Sequence, residues 1–94
     1  MTTIKMEQSK IRGDYAVKVS VDCPEEDYYD DFLYVMAILT NDVKCKIVAV
    51  DFSMWYFVID SYNEDIDSAL AKHHFTLNDE LNYNTTVWTY TRNK

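Results

Sequence analysis

The sequence predicts an α+β domain of the ferredoxin-like type, in which two helices cover one face of an antiparallel sheet. Two observations predict it. Four segments have the apolar alternation or the β-branched and aromatic content of strands, and two carry apolar residues at helical spacing. Their order along the chain is βαββαβ. No linker or internal repeat divides the 94 residues, so residues 1–94 are expected to form a single domain.

The strands are predicted from residue periodicity. Residues 15–21 place tyrosine and valine on one side and smaller or polar residues on the other, as a half-buried strand does. Residues 44–52 and 55–60 form the second and third strands, expected to pair as a hairpin. Residues 85–91 form the fourth, and residues 3–11 are expected to add an edge strand, joined to the first by a turn.

The helices are predicted from their starts. The first is expected from Pro24 to about Thr40, because proline is tolerated in a first turn and the acidic residues after it suit the positive end of the helix dipole. The second is expected to begin near residues 61–63. Ser61 and Glu64 have the spacing of a capping box, and Asn63 is the alternative cap.

The third predicted strand, "WYFVID", carries large apolar groups on both faces. The face of the sheet away from the helices is therefore expected to be covered, since large exposed apolar patches usually mark an interface. The N-terminal segment or a second copy of the chain would cover it, and the second option predicts a homodimer.

The charge restricts the possible partners. A net charge of −7 and a pI near 4.5 oppose binding to nucleic acid phosphates and anionic membranes and favour basic partners. The aromatic strand lacks the basic and glycine positions of RNA-recognition motifs. The N-terminus lacks the apolar core of a signal peptide, and no apolar run is long enough to span a bilayer, so a cytoplasmic protein with thiols at Cys23 and Cys45 is expected.

The candidate site lies in residues 21–34, which hold six carboxylates and three tyrosines without a lysine or arginine. A helical wheel gathers apolar side chains on a core face: Tyr28, Phe32, Val35, Met36 and Leu39. It places the partner-binding candidates opposite: Glu26, Asp27, Asp30 and Asp31 around Tyr34. One interpretation is a solvated face that serves the helix dipole. The other is a surface that binds a lysine- and arginine-rich protein, with Tyr34 as its anchor.

No metal, cofactor or catalytic residue is predicted. A calcium loop needs a tight, usually glycine-containing turn, and the single glycine lies away from the acidic stretch. The candidate zinc ligands lack the short spacing of zinc motifs: Cys23, Cys45, His73 and His74. His73 is instead expected at a helix end or in the core.

The chain resembles the small acidic proteins with which phages neutralise host enzymes, including anti-restriction and anti-CRISPR inhibitors. The resemblance rests on length, acidity and one patch: Glu25, Glu26, Asp27, Asp30 and Asp31 with Tyr34. The resemblance implies a non-enzymatic inhibitor in the host cytoplasm that occupies a basic surface of a defence enzyme, such as a surface that binds nucleic acid. Residues 1–21 carry four basic and two acidic groups, which departs from a mimic of an extended DNA duplex.

Two alternatives stay open. The first is a small dimeric ligand-binding or regulatory domain that recognises a nucleotide or an amino-acid-like molecule in a pocket lined by Trp55, Tyr56 or Trp88. The second is a metal-dependent enzyme that uses Asp22, Glu26 and Asp30.

Overall fold

The structure, a computed structural model, describes residues 1–11, 14–23, 28–80 and 85–93, with side chains for all of these except 9–11, 14 and 15. The described residues form an α+β fold of two helices and one antiparallel sheet. The elements in chain order are β1 (Thr2–Ile11), β2 (Asp14–Asp22), α1 (Tyr28–Ala37), a π-helical turn (Ile38–Asp42), β3 (Ile47–Asp51), β4 (Tyr56–Ile59), α2 (Glu64–Lys72), β5 (Thr76–Leu77) and β6 (Val87–Arg92).

Within the described ranges the sheet has six strands in the order β3-β4-β2-β1-β6-β5, and every described pair is antiparallel. The ferredoxin-like order is not confirmed, because β1 lies between β2 and β6 instead of at an edge. Its side chains explain the position: Ile4 and Met6 are fully buried, and Met6 lies opposite Val19 on one side and Trp88 on the other. β5 was not predicted.

The core lies between one face of the sheet and the two helices. Alternate residues of the inner strands point into it, and burying each aliphatic or aromatic side chain contributes about 1.5–3 kcal/mol. The buried set includes Ile4, Met6, Val17, Val19, Phe57, Ile59, Trp88 and Tyr90 from the sheet and Phe32, Val35, Ile66 and Leu70 from the helices.

The other face of the sheet is more polar than expected. The residues paired across β1 and β2 on this face include Lys5 with Ser20 and Glu7 with Lys18. The Lys18 ammonium lies 4.5 Å from the centre of the ring of Tyr56, the first residue of β4. The N-terminal segment lies within the sheet and does not cover this face. The homodimer stays a prediction.

The helix ends follow local hydrogen bonding. Thr40 Oγ1 donates to the Met36 carbonyl at 2.9 Å, within the π-helical turn that follows α1. At the start of α2, the Asn63 side chain accepts a hydrogen bond of 2.9 Å from the Asp65 amide, so Asn63 is the cap and not Ser61.

Candidate protein-binding surface

The structure separates the predicted site residues. Glu26 and Asp27 lie outside the described residues, and Asp30 is exposed on α1. Asp31 is 4% exposed, so its placement on the solvent face was wrong. Asp31 lies one turn before the buried Val35, on the flank of α1 that the ends of β1 and β6 cover.

Asp31 is bound by groups from two strands. Thr2 Oγ1 donates to its Oδ2 at 2.5 Å, and Arg92 Nη2 lies 3.8 Å from its Oδ1. The Arg92 side chain is also largely buried. The carboxylate therefore holds α1 against β1 and β6. No local sequence pattern places Arg92, the last residue of β6, beside Asp31.

Tyr34 is half-exposed but its polar atom is used within the fold. Its Oη lies 2.8 Å from His73 Nδ1, and His73 Nε2 lies 2.8 Å from Asp42 Oδ2. The Arg92 guanidinium carbon lies 4.8 Å from the centre of the Tyr34 ring and 4.7 Å from that of Phe75. His73 caps the end of α2, which confirms its predicted place at a helix end.

These contacts form a carboxylate–imidazole–phenol chain beside a cavity of about 190 Å³. When His73 is neutral, its Nε2–H donates to Asp42 and its Nδ1 accepts from the Tyr34 hydroxyl. Such a chain is able to pass a proton, but its three members are satisfied by one another. What the arrangement does in this fold is fix the C-terminal end of α2 to the π-helical turn.

A set of large apolar side chains is exposed on the opposite flank of α1. Tyr29 and Leu33 lie there, and the Tyr29 ring stacks on Phe52 with centroids 6.3 Å apart. The Phe52 ring also packs edge to face against the buried Phe32 ring, with the ring centroids 5.4 Å apart. Tyr29 and Phe52 are 58% and 49% exposed, so a continuous aromatic contact joins α1 to the end of β3 at the surface.

β3 forms the edge of the sheet and pairs with β4 alone among the described strands. Val48, Ala49 and Val50 are exposed on it, and the register shifts between Ile47 and Ala49. A bulge of this kind discourages indiscriminate pairing of an edge, whereas exposed apolar side chains on it favour a specific contact. We call the residues Tyr29, Asp30, Leu33, Val50 and Phe52 the α1–β3 surface.

Sequence reasoning found Asp30 in this surface and missed the other four residues. A signal was available for Tyr29 and Leu33, because the helical wheel places both off the core face. Phe52 ends a predicted strand with apolar residues on both sides, which is also typical of an edge that contacts another molecule.

The residues proposed for the ligand-binding and metal-dependent alternatives lie in different surroundings. Trp55 lines a cavity of about 360 Å³, whereas Trp88 is buried in the core. Among the described residues, no group of three or more histidine, cysteine or acidic side chains is placed to hold a metal ion. Burial, and secondarily the charge of Asp60, raises the pKa of the Cys45 thiol, which disfavours a reactive thiolate.

No protein-family model matches the chain. A comparison with curated proteins likewise finds no match. Within the part of the chain that the structure describes, no helix is both long and apolar enough to cross a membrane.

Proposed function

We propose that the protein is a non-enzymatic protein-binding module and that the α1–β3 surface is where it binds. The observation that carries the proposal is the exposed contact between Tyr29 and Phe52. Leu33 is exposed one turn after Tyr29 in α1, Val50 is exposed two residues before Phe52, and Asp30 follows Tyr29 in the helix. Interfaces are typically built from such aromatic anchors with a charged rim.

The partner is proposed to present apolar side chains ringed by lysine or arginine. Asp30 supplies a carboxylate at the rim, and the net charge of −7 attracts a basic surface over longer distances. Glu26 and Asp27 remain part of this proposal because they precede α1 in the sequence. Asp31 no longer belongs to it, and Tyr34 contributes at most the exposed edge of its ring.

The biological role that fits these properties is inhibition. A basic partner surface that normally binds nucleic acid would be occupied by the protein, as in the phage inhibitors of host defence enzymes that the sequence resembles. The host cytoplasm would be the place of action. We further propose that the ferredoxin-like plan applies to β3, β4 and β2, which are neighbours as that plan requires. The last strand departs from the plan, because β1 pairs antiparallel with both β2 and β6 and therefore β6 runs parallel to β2.

Affinity capture with a matched pair of variants tests the binding function. The protein is immobilised, exposed to a lysate of a candidate host at low and high salt, and the retained proteins are quantified by mass spectrometry. Asp30→Lys is expected to lose the partner, and high salt to weaken its capture. Asp65→Lys is the control, because it makes the same charge change in the first turn of the other helix. Equal capture by both variants would contradict the proposal.

A further inference from the structure

A cavity of about 360 Å³ opens on the sheet face away from the helices, at the end where β2 finishes. This volume is within the range of small-molecule sites. The residues that matter for its chemistry are Thr3, Lys5, Ser20, Asp22, Tyr28 and Trp55. They combine one cation, one carboxylate, hydroxyl groups and an aromatic wall, and none of them belongs to the α1–β3 surface.

The strand register places the two charges side by side. Thr3 pairs with Asp22 and Lys5 pairs with Ser20, so Lys5 and Asp22 are diagonal neighbours on one sheet face. The Cα atoms of such diagonal neighbours are roughly 7–8 Å apart. The Lys5 ammonium lies 3.5 Å from the Glu7 carboxylate, and both side chains are well exposed. Exposed pairs of this kind are weak, so Lys5 is able to take another anion.

The aromatic wall stands beside the carboxylate. The rings of Tyr28 and Trp55 stack with centroids 5.2 Å apart, and Tyr28 Oη donates to Asp22 Oδ1 at 2.7 Å. That bond fixes the direction of the carboxylate and uses one of its two oxygens.

Trp55 is held at the cavity in an unfavourable backbone conformation. Its φ is +55°, in the left-handed region that costs a residue other than glycine about 1–2 kcal/mol. The Val21 amide donates to the Trp55 carbonyl at 3.0 Å and holds the residue there. Strained residues of this kind cluster at ligand sites.

We propose that this cavity binds a small zwitterion of the amino-acid type. The ligand carboxylate lies at the Lys5 ammonium, beside the hydroxyls of Thr3 and Ser20. Its ammonium lies at Asp22, next to the electron-rich faces of the aromatic pair, which also attract cations. Its side chain packs on Trp55.

The charges favour a zwitterion over a nucleotide. A nucleotide brings a phosphate of about two negative charges. The site has Lys5 to receive that phosphate but sets Asp22 and Glu7 near it. A zwitterion places one charge against each side chain, so both Lys5 and Asp22 are matched.

The test is a titration of the full chain, labelled with ¹⁵N, followed by two-dimensional NMR. The proteinogenic amino acids are the probes, each added to about 10 mM, with dissociation constants in the millimolar range or tighter expected. At least one aromatic amino acid is expected to shift the signals of Lys5, Asp22 and the Trp55 indole in a saturable manner. The Trp88 indole, buried in the core, is the internal reference. No saturable shift with any amino acid overturns the proposal.

Charge recognition is tested on the amino acid that binds. Its N-acetylated form lacks the ammonium and its decarboxylated form lacks the carboxylate, and each is expected to bind at least about tenfold more weakly. The Lys5→Met and Asp22→Asn variants are each expected to bind the unmodified amino acid more weakly by a similar factor. Lys18→Met, which removes a lysine from the same sheet face outside the cavity, is the control. The proposal is overturned if the wild type binds the N-acetylated and decarboxylated forms as tightly as the amino acid itself. It is also overturned if both Lys5→Met and Asp22→Asn bind the amino acid with unchanged affinity.

Discussion

The Thr2 hydroxyl donates a hydrogen bond of 2.5 Å to the carboxylate of Asp31, and both residues are buried. This bond joins the first strand to the first helix, and Arg92 of the last strand approaches the same carboxylate. An acidic residue that the helical wheel assigned to a partner is therefore used to hold the fold together. The proposed binding surface is on the other flank of the helix.

Replacing Asp31 by asparagine is expected to destabilise the protein. The substitution removes the charge that faces Arg92 and weakens the bond from Thr2, and the loss is expected to be about 1–3 kcal/mol in the free energy of unfolding. Urea unfolding followed by circular dichroism measures it. Asp30→Asn, one residue earlier and exposed, is the control and is expected to change stability by less than about 0.5 kcal/mol. An equal loss of stability in the two variants would show that the contacts of Asp31 with Thr2 and Arg92 do not stabilise the fold.

Arg92 is expected to act both as a charge and as a planar group. Arg92→Met removes the cation that lies 3.8 Å from the buried Asp31 carboxylate and is expected to cost about 2–4 kcal/mol in the free energy of unfolding. Arg92→Lys keeps the charge but loses the stacking between the rings of Tyr34 and Phe75, and is expected to cost about 1 kcal/mol. Denaturant unfolding of both variants measures which of them is the more stable. A lysine variant less stable than the methionine variant would show that the charge is unimportant.

The Tyr34 hydroxyl is expected to contribute to stability and not to partner binding. Tyr34→Phe removes the contact with His73 but keeps the ring beside Arg92, so a loss of about 0.5–1.5 kcal/mol is expected. Capture of the partner is expected to stay unchanged, because that hydroxyl faces His73. Unfolding and capture assays on one preparation check both expectations. Lost capture with intact stability would restore Tyr34 as the anchor.

Asp51 is expected to titrate below its ordinary value. The side-chain hydrogen bond from Ser53, together with the Met54 and Ser53 amides, lowers the pKa of this carboxyl from 3.8. Because the folded pKa is lowered, ionised Asp51 stabilises the fold above its unfolded pKa, and this stabilisation is lost as the pH falls through the lowered value.

NMR titration of the Asp51 carboxyl carbon measures this shift directly. Its midpoint is expected to lie below 3.8 in the wild type and to rise in Ser53→Ala, because that substitution removes the largest cause. The difference in stability between wild type and Asp51→Ala should be constant above about pH 5 and shrink at more acidic pH. An unchanged midpoint in Ser53→Ala would show that the hydroxyl bond is not its main cause.

Periodicity was enough to find most elements but not their arrangement. Residues 15–21 and 55–60 were recognised because alternation and apolar content are local properties, and they correspond to β2 and β4. The position of β1 depends on which strands it pairs with, and nothing local distinguishes an edge strand from a central one when only Ile4 and Met6 alternate with polar residues.

The site was predicted less well than the fold for a similar reason. A helical wheel shows angles around an axis but not which neighbours cover each flank. Asp31 is buried because Thr2 and Arg92, distant in sequence, lie beside it. The exposure of Tyr29 depends in the same way on β3 being at the edge of the sheet.

The most direct test of the α1–β3 surface compares two conservative valine substitutions. Val50→Thr alters the surface and Val87→Thr alters an equally exposed strand residue elsewhere, the two valines being 40% and 48% exposed. Each substitution is made in the wild-type chain and in a chain that carries Tyr29→Ser. Urea unfolding first checks that the variants have comparable stability, and capture of the partner is then quantified. We expect Val50→Thr to lose the partner in the Tyr29→Ser background, and Val87→Thr to retain in each background as much partner as that background does alone. Full capture by the Val50→Thr, Tyr29→Ser protein would contradict a function based on this surface.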